Sequence, residues 1–348
     1  MSTRRATIAD VAREAGVAAS TASVVFSGKT AVSEATRRRV LDAAASLGYT
    51  GPDPRAASLR RGRSGIVGVV FEEHLGVAFL DPVNTLMMDG LADGVAPIGA
   101  GLLLLRDDNQ GREPTLTSAP LDAAVLVGCS GRLRESLATV RGRGIPVVVI
   151  EGDAGEGVPR IELDNREAQR QMASHLRSLG HERVVALTLP RDARRLPGWY
   201  AEEDELGIDV TRDRLAGFRD VFPEAPAYAA GASSIDHGLA AGRIVFADPE
   251  RRPTAVVAQS DLLAAGAIRA AEEAGLRVPA DVSVTGFDGI SVDGLAPYTL
   301  TTMVQPAADK GRAAGEAVAA MIAGRDAASI RFTCRFREGN TAGPAPVA

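Results

Sequence analysis

A chain of 348 residues exceeds one typical core, so two or three compact units are expected. Its 45% apolar and 24% charged residues are those of a globular protein, which excludes a disordered or collagen-like chain. The net charge of −5 conceals an asymmetry: residues 1–64 hold eleven Lys/Arg against five Asp/Glu, net +6, leaving −11 for the rest. A basic head on an acidic body fits a polyanion-binding module joined to a soluble domain, although a solvated basic face has the same composition.

In chain order, the opening Met1–Ser2–Thr3–Arg4–Arg5 runs into a polar amphipathic pattern, so no secretory signal is expected. Thr7 can cap a first helix with Asp10 three residues on, and Ile8, Val11, Ala12 and Ala15 share one face. Gly16 ends that helix. A second spans residues 19–26, with Val17, Thr21, Ala22 and Val25 inward, and Ser27–Gly28 stops it. A third starts at Ser33, carries an apolar stripe of Val40, Leu41, Ala44 and Leu47, and closes at Gly48. Two short helices joined by a tight glycine turn, with a third behind them, read as a helix-turn-helix head over residues 1–48. A three-helix scaffold without DNA affinity has the same pattern; the basic charge favours DNA.

Residues 49–64 read as a linker holding a marginal helix near 55–61, between Gly51–Pro52–Asp53–Pro54 and Gly62–Arg63–Ser64–Gly65. Beyond it, apolar runs at 66–71, 101–105, 123–127, 147–150, 184–187, 255–258 and 282–287 suit buried strands and are too short to span a bilayer. Helical stretches such as 164–179 and 261–274 lie between them, which predicts parallel, doubly wound sheets. The body, residues 65–340, is expected to hold two such subdomains, about 65–160 and 161–290, with the chain crossing back after about 290 and a tail at 341–348. Ligands of these folds bind at strand carboxyl ends, so the cleft between subdomains is the expected site.

The chemistry of catalysis is missing from the pattern. Cys129 and Cys334 lack disulfide or metal spacing and read as thiols in a reducing cytoplasm. His74, His175, His181 and His237 stand without nucleophile or metal motifs, and no Gly-rich phosphate loop occurs. No enzyme, cofactor or membrane association is expected.

Several motifs then resemble one family in order. Thr7–Ile8–Ala9–Asp10–Val11–Ala12–Arg13–Glu14–Ala15–Gly16–Val17 with Ser20–Thr21–Ala22–Ser23 resembles the head of the lactose-repressor (LacI/GalR) family. Leu47–Gly48–Tyr49, Leu179–Gly180–His181, Arg214–Leu215–Ala216–Gly217–Phe218, Gly286–Phe287–Asp288 and Gln305–Pro306 continue the likeness over nearly the whole chain. The resemblance implies a cytoplasmic homodimeric repressor on an inverted-repeat operator, with a periplasmic-binding-protein-like body controlled by a small metabolite such as a sugar. It places Ala19, Ser20 and Val24 at base edges and Thr7, Thr21, Ser23 and Ser33 near phosphates. Ala56 and Leu59 fall in the linker helix, Leu59 as a minor-groove wedge.

For the effector the resemblance implies Asp81, Asn84, Glu151, Arg214, Ser260, Asp261 and Asp288, of which Asp81 and Asp261 also suit helix caps. Three departures affect the head: Ala18 replaces a capping serine, Val24 a common arginine and Ser27 an asparagine. In the pocket, Val83 and Asn84 occupy two usual aromatic positions. The segment 190–213 is long and carries Trp199, Tyr200 and four consecutive acids, Glu202 to Glu205. It reads either as a lid over the cleft or as a solvated acidic loop. The alternative for the whole chain is a solute-binding receptor-like protein with a degenerate DNA-binding head.

Overall fold

Helix caps and turns set the first of two units, residues 1–65 and 66–348. The computed structural model describes residues 6–28, 30–51, 62–71, 75–106, 115–128, 132–201 and 204–347. In the head, α1 (Ile8–Glu14) begins in a reciprocal cap: Asp10 N donates to Thr7 Oγ1, and Thr7 N donates to Asp10 Oδ2 at 2.9 Å. Gly16 turns the chain at φ +62 into α2 (Ala19–Ser27), whose N-cap Ala18 supplies no side-chain bond. In α3 (Glu34–Ser46), Ser33 Oγ accepts from Thr36 N.

Val11, Ala12, Ala15, Ala22, Val25, Val40, Ala43 and Ala44 form the head's core. The expected stripe of α3 needs correction: Leu41 and Leu47 are 43% and 37% exposed, and Ala43 is buried instead. Leu41 lies one step off the face begun by Val40, and Leu47 is already the C-cap. Residues 52–61, including Ala56 and Leu59, lie outside the described residues.

In the second unit, β1 (Ile66–Phe71), α4 (Leu75–Ala78), α5 (Pro82–Val95), β2 (Gly101–Arg106), β3 (Ala123–Val127), α6 (Leu133–Gly142), β4 (Val147–Ile150) and β5 (Arg160–Leu163) build one half. Then α7 (Asn165–Ser178), β6 (Val184–Thr188), β7 (Gly198–Trp199), α8 (Asp209–Arg219) and β8 (Ala227–Ala229) open the other. It continues through α9 (Ile235–Val245), β9 (Ala255–Ala258), α10 (Asp261–Glu273), β10 (Ser283–Asp288) and β11 (Thr301–Val304). The chain ends with α11 (Ala307–Ile322), β12 (Ile330–Phe332) and β13 (Arg335–Arg337). The sheets run β12-β5-β4-β3-β1-β2 and β13-β11-β10-β9-β6-β8-β7, parallel except at the edge strands β13 and β7.

Two expected boundaries move and one crossing is added. Ile161 sits in β5 of the first sheet, so the first crossing follows Leu163; the Gly-rich stretch at 152–157 is only the turn between β4 and β5. The return, expected after about 290, comes only after β11, and a third crossing lies between β12 and β13. The strands involved hold three or four residues each and carry little apolar pattern. The tail is also seated: Thr341 is fully buried, and His181 Nε2 lies 2.9 Å from Gly343 O.

α11 returns to pack on α5 through glycines. A Cβ on Gly311 would stand 1.9 Å from Met87 O, and one on Gly90 1.9 Å from Ala308 O. Backbone thus meets backbone, which only glycine permits. This contact anchors α11 to the first half although most residues between 164 and 305 belong to the second.

Candidate functional site

Parallel strands that all end on one side leave their carboxyl ends facing a single cleft. Here Phe71, Val127, Ile150, Leu189, Ser260, Asp288 and Gln305, each at or just past a strand end, line a cavity of about 230 Å³ with Arg214 and Lys310. Apolar walls with a few convergent polar groups are the usual make-up of a small-molecule site. Among the described residues, the non-glycine positions with positive φ are Glu151 (φ 55), Arg195 (φ 54) and Asp288 (φ 112), and all three line this cavity. Such conformations cost about 1–3 kcal/mol each and gather where function requires them.

Arg214, on α8, is 3% exposed and held on three sides. Its Nε donates to Asn165 Oδ1 at 2.8 Å, its Nη1 donates to Gln259 O at 2.5 Å, and its guanidinium lies 3.6 Å from the Phe287 ring centroid. Asp288 Oδ1 accepts from Gln305 Nε2 at 2.6 Å. Burial pushes the Asp288 carboxyl well above its usual range; Arg214 opposes this, while Asp81 and Asp261 reinforce it. For Glu151, burial acts upward too, but Lys310 and then Arg214 outweigh it and hold the acid below the usual range.

Across the cavity Asp81 caps α5, accepting from Val83 N at 2.9 Å, and Asn84 Nδ2 donates to Ala78 O at 3.0 Å. Burial raises the Asp81 carboxyl despite bonds from Val83 and Ser233. Ser260 Oγ caps α10 through Leu263 N and accepts from Ser233 Oγ at 3.1 Å.

Asp81, Asn84, Glu151, Arg214, Ser260 and Asp288 therefore meet in one cleft. Asp261 does not. Fully buried behind the strand ends, it accepts from Thr302 Oγ1 at 2.6 Å and Ile290 N at 2.8 Å. The start of α10 turns Ser260 to the cavity and its neighbour to the core. Lys310, Gln305, Asn165, Ser233 and Arg195 were not among the expected site residues. Gln305 has a signal in the Gln305–Pro306 motif; Lys310, reaching in from α11, has none in its local pattern.

The segment 190–213 matches neither of its two readings, an aromatic lid or a solvated loop that touches nothing. Gly198–Trp199 pairs antiparallel with β8, the Trp199 ring meets Tyr228 edge-on at 5.2 Å, and Tyr200 Oη lies 2.9 Å from Thr188 Oγ1. These aromatics extend the second sheet and do not line the cavity. A clip from Arg191 Nη1 to Asp204 Oδ2 at 2.6 Å braces the loop, and the same segment brings Arg195 to the cavity wall.

In the head, Ala19 and Ser20 are exposed on α2, whereas Thr21, Ser23 and Val24 are half-buried. Thr7 and Ser33 are exposed, and their hydroxyls accept the cap bonds of α1 and α3. Among the described residues, no group of His, Cys, Asp and Glu could hold a metal, and no helix is long and apolar enough to cross a membrane.

Residues 7–51 match the bacterial regulatory proteins of the lacI family, and residues 173–338 match the periplasmic binding protein-like domain. The chain is 35% identical over 327 residues to an HTH-type transcriptional regulator of Mycobacterium tuberculosis, covering 90% of each. Its fold matches the lac repressor dimer bound to operator and an anti-inducer, with a TM-score of 0.78 at 22% identity, over 98% of this chain and 100% of that one. It also matches the regulator CelR in complex with cellobiose, with a TM-score of 0.64 at 24% identity, over 97% of this chain and 100% of that one.

Proposed function

The chain belongs to the LacI family of bacterial transcriptional regulators, and from that premise we propose a dimeric, cytoplasmic repressor that grips an inverted-repeat operator and answers to a small polyhydroxylated metabolite. As a family member it is a DNA-binding regulator, not an enzyme. The carrying observation for the effector is the cleft, where Arg214, Asp288, Glu151, Asp81, Asn84 and Ser260 converge at strand ends. Carboxylates accept from hydroxyls, and a guanidinium donates to ring or hydroxyl oxygens. The lining mixes acids with bases and no one sign dominates it, which favours a neutral ligand such as a sugar over a strongly charged one. Cellobiose in CelR supports the same class.

For DNA, α2 would enter the major groove with Ala19, Ser20 and Val24 toward base edges, while Thr7, Thr21, Ser23 and Ser33 lie toward phosphates. Ala56 and Leu59 would supply the minor-groove element. Two-fold symmetry of a dimer, as in the lac repressor on its operator, would match two half-sites. Effector binding would change the angle between the two halves and withdraw Leu59 from DNA.

Footprinting on the chain's own upstream region is the test. The expected result is protection of an inverted repeat that weakens steeply with salt and is released by one member of a sugar panel chosen by thermal shift. Absence of protection at low salt, with and without the panel, overturns the reading. Leu59→Ala should weaken protection and leave the sugar's thermal shift unchanged.

A further inference from the structure

Six side chains close a circuit at the crossings between the two halves. Asp288 Oδ1 accepts from Gln305 Nε2 at 2.6 Å, and Gln305 Oε1 accepts from Lys310 Nζ. Lys310 Nζ also donates to Glu151 Oε1, whose second oxygen accepts from Asn165 Nδ2 at 3.0 Å. Asn165 Oδ1 accepts from Arg214 Nε at 2.8 Å, and Arg214 Nη1 stands 3.6 Å from the starting oxygen of Asp288.

The members come from both halves. Glu151 follows β4, and Lys310 lies on α11, which packs into the first half's core. Asn165 and Arg214 lie on α7 and α8, which pack on the second sheet, while Asp288 ends β10 and Gln305 follows β11. The circuit therefore passes between halves twice, at Gln305 to Lys310 and at Glu151 to Asn165. These two links flank the first and second chain crossings.

We propose that Lys310 is a positioning residue that couples the cleft to the hinge, by holding Glu151 of one half and Gln305 of the other in a single grip. Lys310 is 2% exposed, so both bonds are shielded from bulk water, and each bond constrains the next. A ligand that takes Asp288 as its acceptor competes for the Gln305 amide. Gln305 then shifts against Lys310, and the displacement reaches Glu151, Asn165 and finally Arg214. The route passes through α11, which is fixed to α5 by the Gly90 and Gly311 contacts, so a local exchange of hydrogen bonds moves one half as a body.

Hydrogen exchange on the full chain tests this without a ligand. In Lys310→Met, the amides of Gln305, bonded to Asp288 O, and Ala168, bonded to Asp164 O, should exchange about tenfold faster, although both lie outside α11. Since that variant strands the Glu151 carboxylate, K310M/E151Q provides a second arm. It should regain most of the lost thermal midpoint while exchange at Gln305 stays raised, because Gln305 still lacks its lysine. Faster exchange confined to α11, or a return to wild-type exchange at Gln305 in the double variant, overturns the coupling.

Discussion

Arg214 and Asp288 face each other in the cleft at 3.6 Å, an ion pair too long for a hydrogen bond, while Gln305 Nε2 donates to the same carboxylate oxygen at 2.6 Å. The arginine is held by other groups, Asn165 and the Gln259 carbonyl, and is therefore placed independently of its acid.

That asymmetry predicts unequal substitutions. Arg214→Met strands Asn165 Oδ1 and the Gln259 carbonyl and should cost about 3 kcal/mol in urea unfolding at pH 7. Asp288→Asn should cost about 1 kcal/mol or less, because burial penalises the charge of this carboxylate and an amide preserves its shape. Equal losses would show that Asp288 acts as a full buried charge.

Acidity should move stability in two directions. Burial pushes the Asp261 carboxyl up to about 7, and Asp288 shifts the same way. An unfolded aspartate releases its proton near pH 4, so the folded state binds more protons between about pH 4 and 7. Asp261 stabilises the fold most at low pH, and that contribution is lost as pH rises through about 7, at up to about 1.4 kcal/mol per pH unit; Asp288 acts in the same direction. Glu151, held low, contributes above its ordinary range and loses that as pH falls through its folded value. Asp261→Asn should therefore flatten the decline in urea midpoint between pH 5 and 7. An unchanged slope removes Asp261 as its source.

Glycine positions predict opposite signs in two helices. Gly311→Ala would place a methyl 1.9 Å from Met87 O and force α5 and α11 apart, a loss of about 3 kcal/mol. Gly142→Ala, within α6 and with nothing inside 4 Å, should stabilise by up to about 1 kcal/mol. Thermal melts of both variants, compared at one pH, check the pair.

The head offers a gain of function in stability. Ala18 already has cap geometry, φ −68 and ψ 148, but no side-chain oxygen. Ala18→Ser should add about 1 kcal/mol to α2 by accepting from Thr21 N, read as slower exchange of that amide. Thr7→Ala should do the reverse at α1, where the existing cap bonds are lost. No change at Thr21 would mean that α2 gains nothing from a cap.

The sequence by itself determined the local elements: where α1 to α3 start and stop, and which apolar runs become the central strands. Caps, glycine turns and hydrophobic periods are encoded within a few residues, so they can be read in order. Motif order also led to Arg214, Asp288 and four other cleft residues. Only the tertiary structure separated Ser260 in the cleft from Asp261 in the core, since adjacent residues at a helix start face different ways. It alone turned Trp199 into a sheet edge and located the crossings, because strands of two to four residues gain their stability from partners far along the chain. Lys310 and Glu151, 159 residues apart, are the clearest case. Their pairing follows from helix α11 returning to the first half, and no local pattern specifies that return.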